Sequence, residues 1–167
     1  MTQIMRLRHW TVMAAVMALA IPMSSPSTLS AQGRSASGSR AYVEVLGNGL
    51  VFSVNFEHTV WRELDVRVGA GGLGLEGVKY VLGFAMAGWQ VSQGRHAVHV
   101  GLGGGIIRFE DVFFLDGRPQ TTFYGTAALA YRFQPRLRGL FLQLAFTPVL
   151  AENTFSPWPG LAIGYAF

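Results

Sequence analysis

The sequence predicts an all-β fold: an eight-stranded antiparallel up-and-down barrel that crosses a membrane. Three observations point there. Half of the 167 residues are apolar and only 13% are charged, yet no apolar run reaches the 18 or so residues that a spanning helix needs. The oiliness is instead divided among short segments that alternate at period two, which is the strand signal. Within those segments nearly every charge falls on one parity, so one face of each strand is apolar and the other polar or small.

At the N-terminus, Arg6, Arg8 and His9 precede the apolar "WTVMAAVMALAIPM" and the small-residue "SSPSTLSA". A basic region, a short apolar region and a small residue before the break make a bacterial secretory signal peptide over residues 1–31, cleaved after Ala31. The run is too short for an anchor and contains Pro22. Residues 32–40, "QGRSASGSR", read as a flexible leader, which leaves 41–167 for the barrel. The chain has no cysteine, which excludes a lipid-anchored N-terminus, disulfides and thiol metal sites. Beyond the signal peptide the charges are 11 basic against 9 acidic, too even a balance to argue for nucleic acid.

Eight strands are expected at about 41–47, 50–57, 64–72, 78–90, 96–107, 121–133, 140–148 and 160–167. "GNG" at 47–49 is a hairpin signal, because Asn48 and Gly49 tolerate the positive φ of a type I′ turn. With both termini periplasmic, the outer loops would be short, at 47–49, 72–77, 108–120 and 149–159.

Sorted by parity, one face collects Val43, Val45, Val54, Phe56, Val66, Val68, Tyr80, Leu82, Phe84, Met86, Val98, Val100, Leu129, Leu142 and Leu144. The opposite face collects Glu44, Ser53, Asn55, Glu57, Asp65, Arg67, Lys79, His99, Tyr124, Thr126, Arg132, Gln143 and Thr147, with Gly69, Gly83, Ala85, Gly101 and Ala128 among them. A β-sandwich would put the apolar faces together, whereas a transmembrane barrel turns them to lipid. The small residues on the polar face suit the crowded inside of a narrow barrel. Aromatic residues also gather toward two rims: Trp61, Trp89, Tyr131, Phe133 and Phe167 at one, Phe109, Phe113, Phe114, Phe123, Phe155 and Trp158 at the other. Two such girdles match the two membrane interfaces.

The last strand, "GLAIGYAF", places Leu161, Ile163, Tyr165 and Phe167 at alternate positions. It resembles the C-terminal signal of bacterial outer-membrane β-barrel proteins, and the mature chain resembles the small eight-stranded members of the OmpA and OmpX type. The resemblance implies an outer-membrane location, a monomer surrounded by membrane lipid and lipopolysaccharide, and the barrel-assembly machinery as a partner reading those four residues. The short outer loops depart from the adhesion-related members.

Motifs that suggest chemistry fail on their context. "GAGGLG" at 69–74 has dinucleotide-binding spacing, but an alternating strand follows it where a helix N-terminus should meet the pyrophosphate. His96 and His99 are three apart, which on a strand sends them to opposite faces, with His99 in the lumen. Glu110, Asp111 and Asp116 share an outer loop without the regular ligand spacing of a calcium loop. A lipid A deacylase would need a Ser–His arrangement facing lipid at the outer rim, whereas Ser92 and His96 fall near the inner one. The expectation is therefore a structural or interaction barrel with no catalytic site, cofactor or metal. Glu44, Glu57, Asp65, Arg67, Lys79 and Arg132 would form a balanced, salt-bridged lumen network. A lipid-modifying enzyme, a small-solute channel and a secreted barrel with its bulky face inward are the alternatives.

Overall fold

The computed structural model describes residues 38–75, 78–112, 119–134, 138–151 and 154–167. The expected signal peptide and residues 32–37 of the expected leader lie outside them. The described residues form eight strands: β1 (Ser39–Leu46), β2 (Phe52–Trp61), β3 (Leu64–Leu75), β4 (Val78–Gln93), β5 (His96–Val112), β6 (Gln120–Phe133), β7 (Gly139–Ala151) and β8 (Thr154–Ala166). Each pairs antiparallel with its sequence neighbours, and β8 returns to β1 to close the barrel. At the seam Val45 faces Leu161, Val43 faces Ile163 and Ala41 faces Tyr165. Beyond them the N–H of Ser39 donates to the Phe167 carbonyl at 3.0 Å and the N–H of Phe167 to the Ser39 carbonyl at 2.9 Å. Closure removes the edges that an open sheet would expose.

Alternation in burial follows alternation in sequence. On β2, Ser53, Asn55 and Glu57 are buried while Phe52, Val54 and Phe56 are exposed. On β7, Phe141, Gln143, Ala145 and Thr147 point in, while Leu142, Leu144 and Phe146 point out.

Strand β4 departs from the expected faces. Tyr80, Leu82, Phe84 and Met86 point into the barrel, and Lys79, Val81, Ala85 and Trp89 point out. Both faces of this strand lack charge beyond Lys79, so parity alone offered only residue size as a guide. Size misleads here because the neighbouring strands make room inside: a Cβ on Gly105 would come within 2.8 Å of the Phe84 Cβ, and one on Gly103 within 2.5 Å of the Met86 Cγ. Bulk on β4 is thus accommodated by glycine on β5, as interior packing at crystal-like density requires. Tyr80, Leu82 and Phe84 join Ile107, Tyr124 and Val149 in an apolar layer inside the barrel, with Phe109 and Trp158 packed against it. Of the aromatic girdle expected at that end, Phe123 and Phe155 are exposed on the outside.

Several boundaries also move. Strand β1 begins at Ser39, so Arg40 is a strand residue rather than part of a leader. Strand β5 continues to Val112, and β7 and β8 extend to Ala151 and from Thr154, through stretches expected as loop. Prolines caused the last misreading. Pro148 faces Pro157, and the β6–β7 ladder is interrupted between the pairs Thr126–Val149 and Leu129–Phe146, where Pro148 has no N–H to donate. A side chain bridges part of this gap, where Thr126 Oγ1 donates to the Pro148 carbonyl at 3.1 Å; on the other side of β7, Thr147 Oγ1 donates to the Trp158 carbonyl at 3.0 Å.

Candidate functional site

The polar positions of the strands meet inside the barrel in two linked networks. Nearer the end that carries Ser39 and Phe167, Arg132 on β6 is completely buried. Its Nη1 and Nη2 donate to the two oxygens of Glu57 at 2.8 and 2.7 Å. Its Nη1 also donates to Gln90 Oε1 at 2.9 Å, and its Nε to Gln143 Oε1 at 2.7 Å. Glu57 receives a second guanidinium from Arg40 and the Tyr42 hydroxyl at 3.3 Å. Asp65 lies 3.9 Å from Arg132 Nη1 and is hydrogen-bonded to His99 Nε2 at 3.1 Å. The ring of Phe141, fully buried, lies beneath both guanidiniums, 5.6 Å from Arg132 and 5.9 Å from Arg40.

Toward the other end, Arg67 on β3 lies between the rings of Tyr42 and Phe84, 5.2 and 5.1 Å from their centroids. Its Nη2 donates to Glu44 at 2.5 Å, its Nε to Asn55 Oδ1 at 3.1 Å and its Nη1 to Asn48 Oδ1 at 3.1 Å. That last contact shows that the β1–β2 connection turns inward. The 3₁₀ turn Gly47–Gly49 is wholly buried. Asn48 Nδ2 donates to Thr126 Oγ1 at 2.6 Å and to the Ala127 carbonyl at 3.2 Å, and the Tyr124 hydroxyl donates to the Asn48 carbonyl at 3.3 Å. Leu50 and Val51 pack against the apolar layer, and the Val51 N–H donates to the Tyr80 hydroxyl at 3.1 Å.

The turn is a plug, and its sequence is fitted to that place. A Cβ on Gly47 would come 2.6 Å from the Glu44 carboxyl carbon, and one on Gly49 would overlap Ser53. Leu46 and Leu50 on either side have φ of 63° and 62°, a region that costs a branched residue of order 1–3 kcal/mol and persists only where surrounding contacts enforce it.

No protein-family model and no curated protein matches the sequence. Among solved structures, the N-terminal β-barrel domain of Pseudomonas aeruginosa OprF is similar with a TM-score of 0.65 at 10% identity, over 78% of this chain and 96% of that one. Ail, the attachment invasion locus protein of Yersinia pestis, is similar with a TM-score of 0.51 at 15% identity, over 78% of this chain and 97% of the other. The fold is that of the small eight-stranded outer-membrane barrels.

In this barrel, five of the six residues expected in the lumen network come together: Glu44, Glu57, Asp65, Arg67 and Arg132 are all buried. Lys79 does not join them, because its side chain lies on the outer face of β4. Arg40 takes its place, so among the described residues the interior still holds three guanidiniums against three carboxylates. Arg40 was missed because it was assigned to the leader, although it alternates with Tyr42 and Glu44. Asn48 was missed because an Asn-Gly pair reads as a solvent-exposed turn. Leu161, Ile163 and Tyr165 on β8, and Phe167 just beyond it, are exposed on the outer surface.

Glu57, Asp65 and His99 bring ligand-type atoms within 4.8 Å of one another. Both Glu57 oxygens already accept from guanidiniums, and a dication among these groups would face Arg132 and Arg40 directly. The arrangement suits charge pairing rather than metal coordination. His96 lies apart at the turn end, exposed, with its Nδ1 2.5 Å from the Tyr131 hydroxyl. Glu110 is exposed, and Asp116 falls outside the described residues. Residues 69–74 lie within β3, with β4 next in the chain.

Proposed function

We propose that this chain is an integral outer-membrane barrel with a structural or interaction role, exported by its signal peptide, and that its lumen neither conducts nor catalyses. One observation carries the reading: the face that should meet water in a soluble barrel is the apolar one. Leu102, Leu144 and Leu161 are more than 60% exposed, while Glu44, Glu57, Arg67 and Arg132 are at most 1% exposed. Only a surrounding hydrocarbon phase makes that distribution favourable. The bulky-face-inward alternative has the opposite requirement.

The Asn48 plug above Arg67 and the Arg132–Glu57 pair below it support a closed lumen. Eight strands leave an interior just wide enough for side chains, and here side chains fill it. Lipopolysaccharide and phospholipid would surround the outward leucines and valines. The outward Leu161, Ile163, Tyr165 and Phe167 would be read by the barrel-assembly machinery.

Two measurements test this. The folded protein in detergent should migrate differently before and after boiling, and in planar bilayers it should carry no steady current. Equal mobility under both conditions would reject the membrane barrel; a stable, reproducible conductance would reject the closed lumen.

A further inference from the structure

The charges outside the lumen are divided unequally between the two ends of the barrel. At the end carrying Ser39 and Phe167, the β2–β3, β4–β5 and β6–β7 connections present Arg62, Arg95 and Arg138, all exposed. The sequence adds Arg136 to the third connection, and the only acid in these connections is Glu63. Among the described residues the opposite end carries Glu110 and Asp111 with Lys79 and Arg108, and the sequence between the strands there adds Glu76, Asp116 and Glu152 against Arg118.

The three arginines are distributed over separate turns around the rim rather than gathered on one side, and outward aromatics lie at the same end. Trp61, Trp89 and Tyr131 are 63%, 49% and 51% exposed. The Arg62 guanidinium stacks over the Trp61 ring at 5.3 Å. Tryptophan and tyrosine at this position occupy the headgroup region of a bilayer, and a guanidinium held beside them stands at the depth of the lipid phosphates, which it binds through paired N–H groups.

We propose that this rim is a binding ring for anionic phospholipid headgroups, with Arg62, Arg95 and Arg138 as its phosphate contacts. The proposal rests on the membrane reading above, and with periplasmic termini the ring meets the inner leaflet. A circumferential arrangement beside an aromatic belt fits a lipid annulus better than a folded partner, which would engage a contiguous one-sided patch.

The test uses the whole barrel reconstituted in phosphatidylcholine vesicles that contain spin-labelled phosphatidylglycerol or spin-labelled phosphatidylcholine. The wild type should select phosphatidylglycerol by about threefold at low salt, with the preference fading as salt screens the ring. The triple variant Arg62→Gln/Arg95→Gln/Arg138→Gln should lose the preference, while Lys79→Gln/Arg108→Gln at the other end should keep it. A selectivity of one in the wild type, or an unchanged selectivity in the triple variant, overturns the ring. Brominated lipids in the same vesicles should quench tryptophan fluorescence; if they do not, the membrane reading itself fails and the ring with it. Capture of an acidic polypeptide by the rim without lipid selectivity would overturn the lipid assignment in favour of a protein partner.

Discussion

Replacing Arg132 by methionine tests the lumen network most severely. The guanidinium makes four hydrogen bonds, two to Glu57 and one each to Gln90 and Gln143. After the change Glu57 keeps Arg40 and Tyr42, but the interior is left with three carboxylates against two guanidiniums, and two amide oxygens lose their donor. Breaking a buried ion pair from one side costs about 3–5 kcal/mol, and the neighbouring orphaned acceptors place this site at the upper end of that range. With a urea slope of about 2 kcal/mol per molar, the unfolding midpoint should fall by roughly 2 M. The assay is equilibrium unfolding in lipid vesicles, read by tryptophan fluorescence and by the mobility difference between folded and boiled protein. The decisive arm is the double variant Arg132→Met/Glu57→Leu, which restores a balance of two against two. Apolar replacement of a whole buried pair is often neutral, so the double variant should recover most of the loss, short of what Arg40 loses with its partner. A single variant within about 0.5 kcal/mol of wild type, or a double variant as unstable as the single, would refute the pairing account.

Three other outcomes follow from particular contacts. Asn48→Ala removes the acceptor for Arg67 Nη1 and the donor to Thr126, and should lower stability by about 2 kcal/mol in the same unfolding assay. Leu46→Gly should relieve the positive-φ cost and raise stability by about 1 kcal/mol after the lost side-chain contacts, a rise of roughly 0.5 M in the urea midpoint. Val66→Arg on the outer face should cost about 2–4 kcal/mol in bilayers, whereas Lys79→Leu should leave the midpoint unchanged; a large loss on changing Lys79 would return that residue to the lumen.

Faces were legible in the sequence wherever a strand carried charge. Glu57 on β2, Asp65 and Arg67 on β3, and Arg132 on β6 each mark the inward parity of their strand without ambiguity, because an ion facing hydrocarbon is so unfavourable. Strand β4 has no such marker beyond Lys79, and Lys79 sits beside a register shift at the strand's loop end, where either face reaches water. The interior space that receives Phe84 and Met86 is set by glycines on neighbouring strands, which is tertiary information. Strand β8 was read short for a local reason. Pro157 and Pro159 lack the N–H that a ladder uses, but a hairpin at the loop end can continue where some of those bonds are unmade. The inward fold of Gly47–Gly49 was the least legible feature, since its partners Arg67 and Thr126 lie 19 and 78 residues away.

That separation bears on the order in which the barrel is made. When β1, β2 and β3 have paired, Arg67 can already reach Glu44, Asn55 and the side-chain carbonyl oxygen of Asn48, but the Asn48 amide N–H groups have no acceptor until β6 supplies Thr126 and Ala127. Glu57 has Arg40 and Tyr42 from β1, but its two-point pairing with a guanidinium waits for Arg132, 75 residues downstream. Any partly assembled sheet exposed to lipid would carry these groups only partly matched, and a polar group left without a partner there costs several kcal/mol. In the membrane barrel proposed above, half-built states are therefore penalised from within, and the strands from β1 to β6 are driven to insert as one cooperative unit.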